Sequence, residues 1–161
     1  MGALPSYKKC FFCSHDEPTG VRLRMGYHDG AVVSGFTIER RFQGFEGLVH
    51  GGIITGILDE LMWWQVAIEA RQVPMTRKID VEFLRPMTVE MPYTAKAEPS
   101  DHGHADWRLS CIVKDGSGHE AARGTGVYRL VKKITFEHLL CHFDFTGVDP
   151  EMKEIFMPAI K

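Results

Sequence analysis

The chain lacks a long apolar run. Its most hydrophobic stretch, Gly51 to Leu58, is soon broken by Asp59 and Glu60, far short of the roughly 20 residues that a membrane-spanning helix needs. It also lacks any marked excess of charge. A formal net charge of −2 over 161 residues offers no general attraction to nucleic acid or to an acidic membrane surface, so neither is expected as a partner. The opening Met1-Gly2-Ala3-Leu4-Pro5-Ser6-Tyr7-Lys8-Lys9 has no apolar core of a secretion signal, and a cytoplasmic, reducing location is the expectation. No serine sits in a Gly-x-Ser-x-Gly elbow, so no serine triad is argued. Cysteine is scarce, at positions 10, 13, 111 and 141. Cys10-x-x-Cys13 has metal-knuckle spacing, but no second pair completes a four-ligand set, and His15 is the nearest further donor. These cysteines read as buried or loop thiols, and no metal and no cofactor are expected.

Apolar residues make up 44% and charged residues 25%, an ordinary globular composition. The length suits a single domain over residues 1–161, with an irregular, aromatic lead-in over 1–20 and a tail over 132–161. Val21 to Tyr27 alternates apolar and polar residues as a half-buried strand does. His28-Asp29-Gly30 makes a hairpin turn, and Ala31 to Phe42 returns. A loop at 43–47 precedes the one long helix, predicted from Gly52 to Arg71 and closed by Pro74. Four more strands follow, at Thr76–Leu84, Met91–Ser100, Ala105–Lys114 and Glu120–Val131, with a hairpin turn at Asp115-Gly116-Ser117-Gly118. The tail holds short helices around Phe136–Cys141 and Pro150–Phe156. One helix among antiparallel strands means α+β, with one long central helix wrapped by a curled antiparallel sheet. Without alternating strand–helix–strand units, a doubly wound nucleotide-binding sheet is excluded. His102, His104 and His119 lie near turns and read as solvated.

The helix is apolar on nearly every side, so it should be buried on nearly every side. Two adjacent carboxylates, Asp59 and Glu60, fall in its middle. A buried carboxylate needs a partner, a proton or a cavity. One reading gives both a polar seam or a subunit interface. The other separates them, since neighbours on a helix point ~100° apart: Asp59 then faces a cleft and Glu60 pairs within a dimer. Upstream, His50-Gly51-Gly52 lets a ligand come close to the backbone at the helix start, where unpaired N–H groups and the helix dipole suit an anionic oxygen.

The run His50-Gly51-Gly52-Ile53-Ile54-Thr55-Gly56-Ile57-Leu58-Asp59-Glu60 resembles the signature of hotdog-fold acyl-CoA thioesterases of the PaaI-like, phenylacetate-pathway group. The lead-in Gln43 to Val49, the later Val81-Glu82-Phe83-Leu84-Arg85-Pro86, and the opening Cys10-Phe11-Phe12-Cys13 with Pro18 to Leu23 fit the same pattern. The resemblance covers roughly residues 10 to 130. It implies a hotdog fold, a homodimer with a joint sheet and two active sites at the interface, and in many relatives a homotetramer. It implies an acyl-CoA substrate. By resemblance Asp59 is the nucleophile or general base, Gly52 supplies the oxyanion-binding N–H, and His50 positions or polarises. Thr76 orients the attacking water from the other subunit. Many relatives have an Asn six positions before the His, where this chain has Gly44, and the adjacent Gln43 is the candidate substitute. Gly51 would let substrate approach the backbone, Trp63 would line the acyl pocket, and Arg77, with Lys78 and Arg85, would meet coenzyme A phosphates. Two rival expectations stand beside hydrolysis: a hotdog hydratase or dehydratase pairing His50 with a carboxylate, and a non-catalytic acyl-CoA binding module.

Overall fold

The computed structural model describes residues 2–103 and 106–157. The predicted solvation of His104 and the predicted strand start at Ala105 lie outside the described residues, as does the side chain of His102.

The elements run β1 (Gly2–Ala3), β2 (Ser6–Tyr7), β3 (Gly26–His28), β4 (Ala31–Thr37), a 3-10 turn (Arg40–Phe42), α1 (Gly51–Ala70), β5 (Pro74–Phe83), β6 (Pro92–His102), β7 (Asp106–Asp115), β8 (Glu120–Leu130), α2 (Phe136–Leu139), a second 3-10 turn (Leu140–His142), β9 (Phe143–Asp144) and α3 (Pro150–Phe156). Seven strands form one antiparallel sheet in the order β1-β3-β4-β6-β7-β8-β5, and β2 pairs with β9 in a second, two-stranded sheet. The long helix packs against β4 through β8. The expected α+β architecture is borne out.

The helix ends follow from local chemistry. His50 caps the start, with its ring nitrogen accepting the Gly52 N–H. Arg71 closes the end in the left-handed region (φ 49°), and Pro74, which cannot continue a helix, opens β5. On the side facing the sheet, Ile57, Leu58, Leu61 and Met62 are sealed from solvent. The inward row of β8 is Ala122, Gly124, Gly126 and Tyr128. Its small members leave room for the helix: a Cβ on Gly124 would come within 3.3 Å of a Leu58 methyl. One polar side chain, Gln65, is fully buried in the same helix. Its Oε1 accepts the Val32 N–H (2.6 Å) and its Nε2 donates to the Gly30 carbonyl (2.8 Å), so the helix grips the β3–β4 turn by hydrogen bonds.

Two expectations need correction. The strand predicted over Val21–Tyr27 pairs as a ladder only from Gly26. Before that, the Val21 and Leu23 N–H groups donate to the Phe11 and Phe12 carbonyls, so the aromatic lead-in, not the sheet, satisfies this extended segment. The return strand stops at Thr37 because Arg40–Phe42 turns into a 3-10 helix. The tail packs on the helix through rings. Trp64 contacts Phe143 and Phe156 (centroids 5.8 Å each), and Phe136 meets Phe156 at 5.1 Å.

β5 ends the sheet. It pairs with β8 on one side only, over ten residues that are mostly exposed. Met75 and Phe83 on it, and Leu84 just beyond, are exposed apolar side chains. A long open edge of this kind is a pairing template that folded proteins normally cover.

Candidate active site

The two carboxylates of α1 lead separate lives, as residues ~100° apart around a helix can. Thr55, Asp59 and Trp63 lie in one row at four-residue spacing, and Gly56, Glu60 and Trp64 in the next. The first row turns to β5. Asp59 is partly exposed, and its Oδ1 accepts two hydroxyls, Thr76 Oγ1 at 2.9 Å and Tyr128 OH at 2.7 Å. Among the described residues no lysine or arginine forms a salt bridge with it. Thr76 reaches Asp59 because β5 is bulged between Thr76 and Lys78, and a bulge re-aims the side chain beside it. Thr76 meets Asp59 of its own chain.

Tyr128 went unrecognised in the sequence, where a lone tyrosine in an alternating strand reads as core. It is fully buried, and Gly126 makes space for its ring, since a Cβ there would lie 2.5 Å from Cε2. Burial first, and then the negative charge of Asp59, push its hydroxyl pKa well above the ordinary value. Tyr128 therefore remains a proton donor to Asp59 across any working pH.

At the helix start, Gly52 N–H donates to His50 Nδ1 at 2.9 Å. The expected oxyanion donor is thus already engaged. Because Nδ1 accepts, the ring's remaining donor is Nε2–H. Ile53 N–H bonds the His50 carbonyl at 2.9 Å. Gly51 N–H, at the first helical position, has no acceptor among the described residues, and it is the open donor of this turn. Phe83 of β5 stands over it: a Cβ on Gly51 would meet that ring at 3.3 Å. Gly44 packs on His50, where a Cβ would meet the ring and the backbone at 3.2 and 3.3 Å. Gln43 Oε1 accepts the Gly47 N–H at 3.1 Å, bracing its own loop.

The remaining candidates are spread out. Trp63 is half-buried, and its Nε1 donates to the Pro74 carbonyl at 2.8 Å, tying the start of β5 to the helix. Arg77 reaches Asp106 at 3.4 Å, a carboxylate that it shares with Arg129, and Lys78 pairs with Asp80 at 2.6 Å. His50 and Asp59 stand nine residues apart on the helix, a rise of about 13 Å, and do not meet within one chain. A cavity of about 560 Å³ lies away from these residues, between Val33, Gly35, Lys96, Ser110 and Ile112.

Within its own chain Glu60 faces the lead-in. Trp64 Nε1 donates to its Oε1 at 2.9 Å, and the Cys10 thiol lies 3.8 and 3.7 Å from its two oxygens. Burial, and then the charge of Cys10, push Glu60 up to about 7. Hydrogen bonding from Cys13 lowers Cys10 to about 6, while the same bond and burial raise Cys13. The sequence suggested His15 as a further donor to this pair; its Nδ1 instead meets Arg24 at 2.9 Å.

Residues 46–122 match the family model described as the thioesterase superfamily. No curated protein matches the chain. Among solved structures, a thioesterase superfamily protein aligns with TM-score 0.64 and 20% identity over 69% of this chain, which spans 55% of that longer protein. The Escherichia coli PaaI protein from the phenylacetic acid degradation operon aligns with TM-score 0.63 and 15% identity, over 69% of this chain and 80% of its own. A Streptococcus mutans protein solved with acetyl CoA aligns with TM-score 0.65 and 16% identity, over 73% and 94%. The matched segment, residues 46–122, holds the long helix and its His50-capped start, and the architecture around it is the hotdog fold shared with the Escherichia coli PaaI protein.

Proposed function

We propose that this protein hydrolyses an acyl-CoA thioester, with Asp59 as general base or nucleophile. The observation that carries the reading is a carboxylate on an apolar helix, held by the hydroxyls of Thr76 and Tyr128 and paired with no cation among the described residues. Neutralisation by an arginine would make such a carboxylate structural. Two hydroxyl donors orient it and leave Oδ2 for a water or for the thioester carbonyl.

The oxyanion falls to Gly51 N–H, the donor left open when His50 engages Gly52, with His50 Nε2–H as a second donor. One such donor is typically worth ~3–4 kcal/mol in the transition state. Gly51 and Asp59 are eight residues apart, about 12 Å of helix rise. No carbonyl can sit about 3 Å from both within one chain. The site therefore needs the helix start of one copy and the Asp59 of another, and the open edge of β5 is where two copies of a single-domain chain would join their sheets. The acetyl CoA of the Streptococcus mutans neighbour supports the substrate class, and a cytoplasmic setting, where acyl-CoA is made and used, fits it.

The test is thiol release from a panel of short-chain, long-chain and aryl acyl-CoAs. Asp59→Asn should lower kcat by about 10²–10⁴-fold on every substrate that the native chain cleaves. Undiminished turnover by Asp59→Asn would remove Asp59 from the chemistry. Hydration of a crotonyl thioester without thiol release would move the protein to the hydratases.

A further inference from the structure

The proposed hydrolysis leaves unused a cluster on the other face of α1. Cys10, Cys13 and Glu60 bring one ligand atom each to within 4.8 Å of one another. Cys13 is sealed from solvent, and Cys10 and Glu60 are partly exposed, so the cluster has a closed floor and an open mouth. Among the described residues no lysine or arginine forms a salt bridge with Glu60, which meets only Trp64 Nε1–H and the Cys10 thiol there.

We propose that Cys10, Cys13 and Glu60 bind a zinc ion, which fastens the lead-in to the helix. The spacing fits. With Zn–S near 2.3 Å and Zn–O near 2.1 Å, a tetrahedral ion holds sulfur and oxygen about 3.6 Å apart. Cys10 Sγ stands 3.7 and 3.8 Å from the Glu60 oxygens. The surroundings fit as well. Phe12 N–H points to Cys10 Sγ and Tyr7 N–H to Cys13 Sγ, each at 3.4 Å. Backbone donors behind a sulfur ligand orient it, as outer-shell partners do. Trp64 Nε1–H orients the carboxylate from behind, as an outer-shell partner does. Two thiolates select zinc over magnesium or calcium. On binding, the ion displaces the thiol protons into solvent and retains a fourth position for water. The site is independent of the hydrolase reading.

The position of the lead-in also fits a fastening role. Phe12 lies in the notch of Gly56, one turn before Glu60, so tightly that a Cβ there would come within 1.9 Å of its ring. The ring and the ion would pin the same turn, residues 10–13, to one helix face.

The test uses the full reduced chain and cobalt(II) as a spectroscopic probe, followed by displacement with zinc(II). One cobalt per chain is expected, with thiolate-to-cobalt charge-transfer absorption and tetrahedral d–d bands that zinc abolishes. Cys10→Ser should lose the charge-transfer intensity of one thiolate, and Glu60→Gln should weaken zinc binding at least about tenfold. Glu60→Gln keeps both thiols and serves if a cysteine variant fails to fold. A native chain that takes up no cobalt, or that only forms a Cys10–Cys13 disulfide on mild oxidation, overturns the proposal. So does a Glu60→Gln chain that binds zinc as tightly as the native one.

Discussion

Asp59 depends on a hydroxyl that no surface reading would find. Tyr128 reaches it from the floor of the sheet at 2.7 Å, and its raised pKa keeps the proton on the phenol. In Tyr128→Phe the ring remains packed but the donor is gone. A hydrogen bond to a charged group contributes ~1.5–3 kcal/mol, so kcat should fall by about ten- to a hundredfold while KM changes little. Steady-state thiol release measures both, and a rise in KM at constant kcat would make Tyr128 a mere packing residue. Gly44 poses the opposite question. Where many relatives carry an asparagine, this chain has no side chain, and a Cβ there would press on His50 at 3.2 Å. Gly44→Asn should therefore not improve turnover. It should displace the His50 ring from Gly52 N–H, cost about 1 kcal/mol of cap stability and reduce activity several-fold. A Gly44→Asn enzyme faster than the native one would show that the loop has room.

Among the elements, the helix was the most legible in sequence, because glycines open it, Pro74 follows it and its apolar run has no competing period. Its observed limits, Gly51–Ala70, lie one residue from the predicted ones at each end. The sheet strands were legible for the same kind of reason, since alternation and Asp-Gly turns punctuate them. The two-residue strands β1, β2 and β9 were not, because two residues carry no period. The candidate site was half legible. Asp59 and His50 announce themselves by chemistry, but the choice between Gly51 and Gly52 as open donor depends on where one histidine ring turns. Likewise nothing in the spacing brings Cys10 to Glu60 across fifty positions. Gly56 tests how the lead-in is held. In an exposed helix Gly→Ala stabilises by roughly 1 kcal/mol. Here the added methyl strikes the Phe12 ring, and overpacking of that kind costs about 1–3 kcal/mol. Gly56→Ala should lower Tm by a few degrees and, by loosening the lead-in, speed trypsin cleavage at Lys8 and Lys9, which already lie on the surface, read by calorimetry and limited proteolysis. A raised Tm with an intact lead-in would mean that Phe12 does not occupy the notch.

For the whole molecule, the decisive fact is a distance along one rod. Gly51 N–H and Asp59 are separated by about 12 Å of helix, so the proposed roles of oxyanion donor and base on one carbonyl require two copies. Subunit mixing tests this directly. Asp59→Asn removes the base. Gly51→Pro removes the donor without breaking the helix, because proline is well tolerated at the first helical position and His50, with ψ 133°, already has the extended conformation that precedes it. Each variant alone should be nearly inactive. When the two are unfolded and refolded together in equal amounts, half of the dimers are mixed, and each mixed dimer has one site with both groups intact. About a quarter of native activity should return, as two-fold symmetry requires, with the same KM as the native enzyme. Activity that stays at the level of the separate variants, in a mixture shown by mass spectrometry to contain the mixed dimer, would place base and donor in one chain and end the shared-site account.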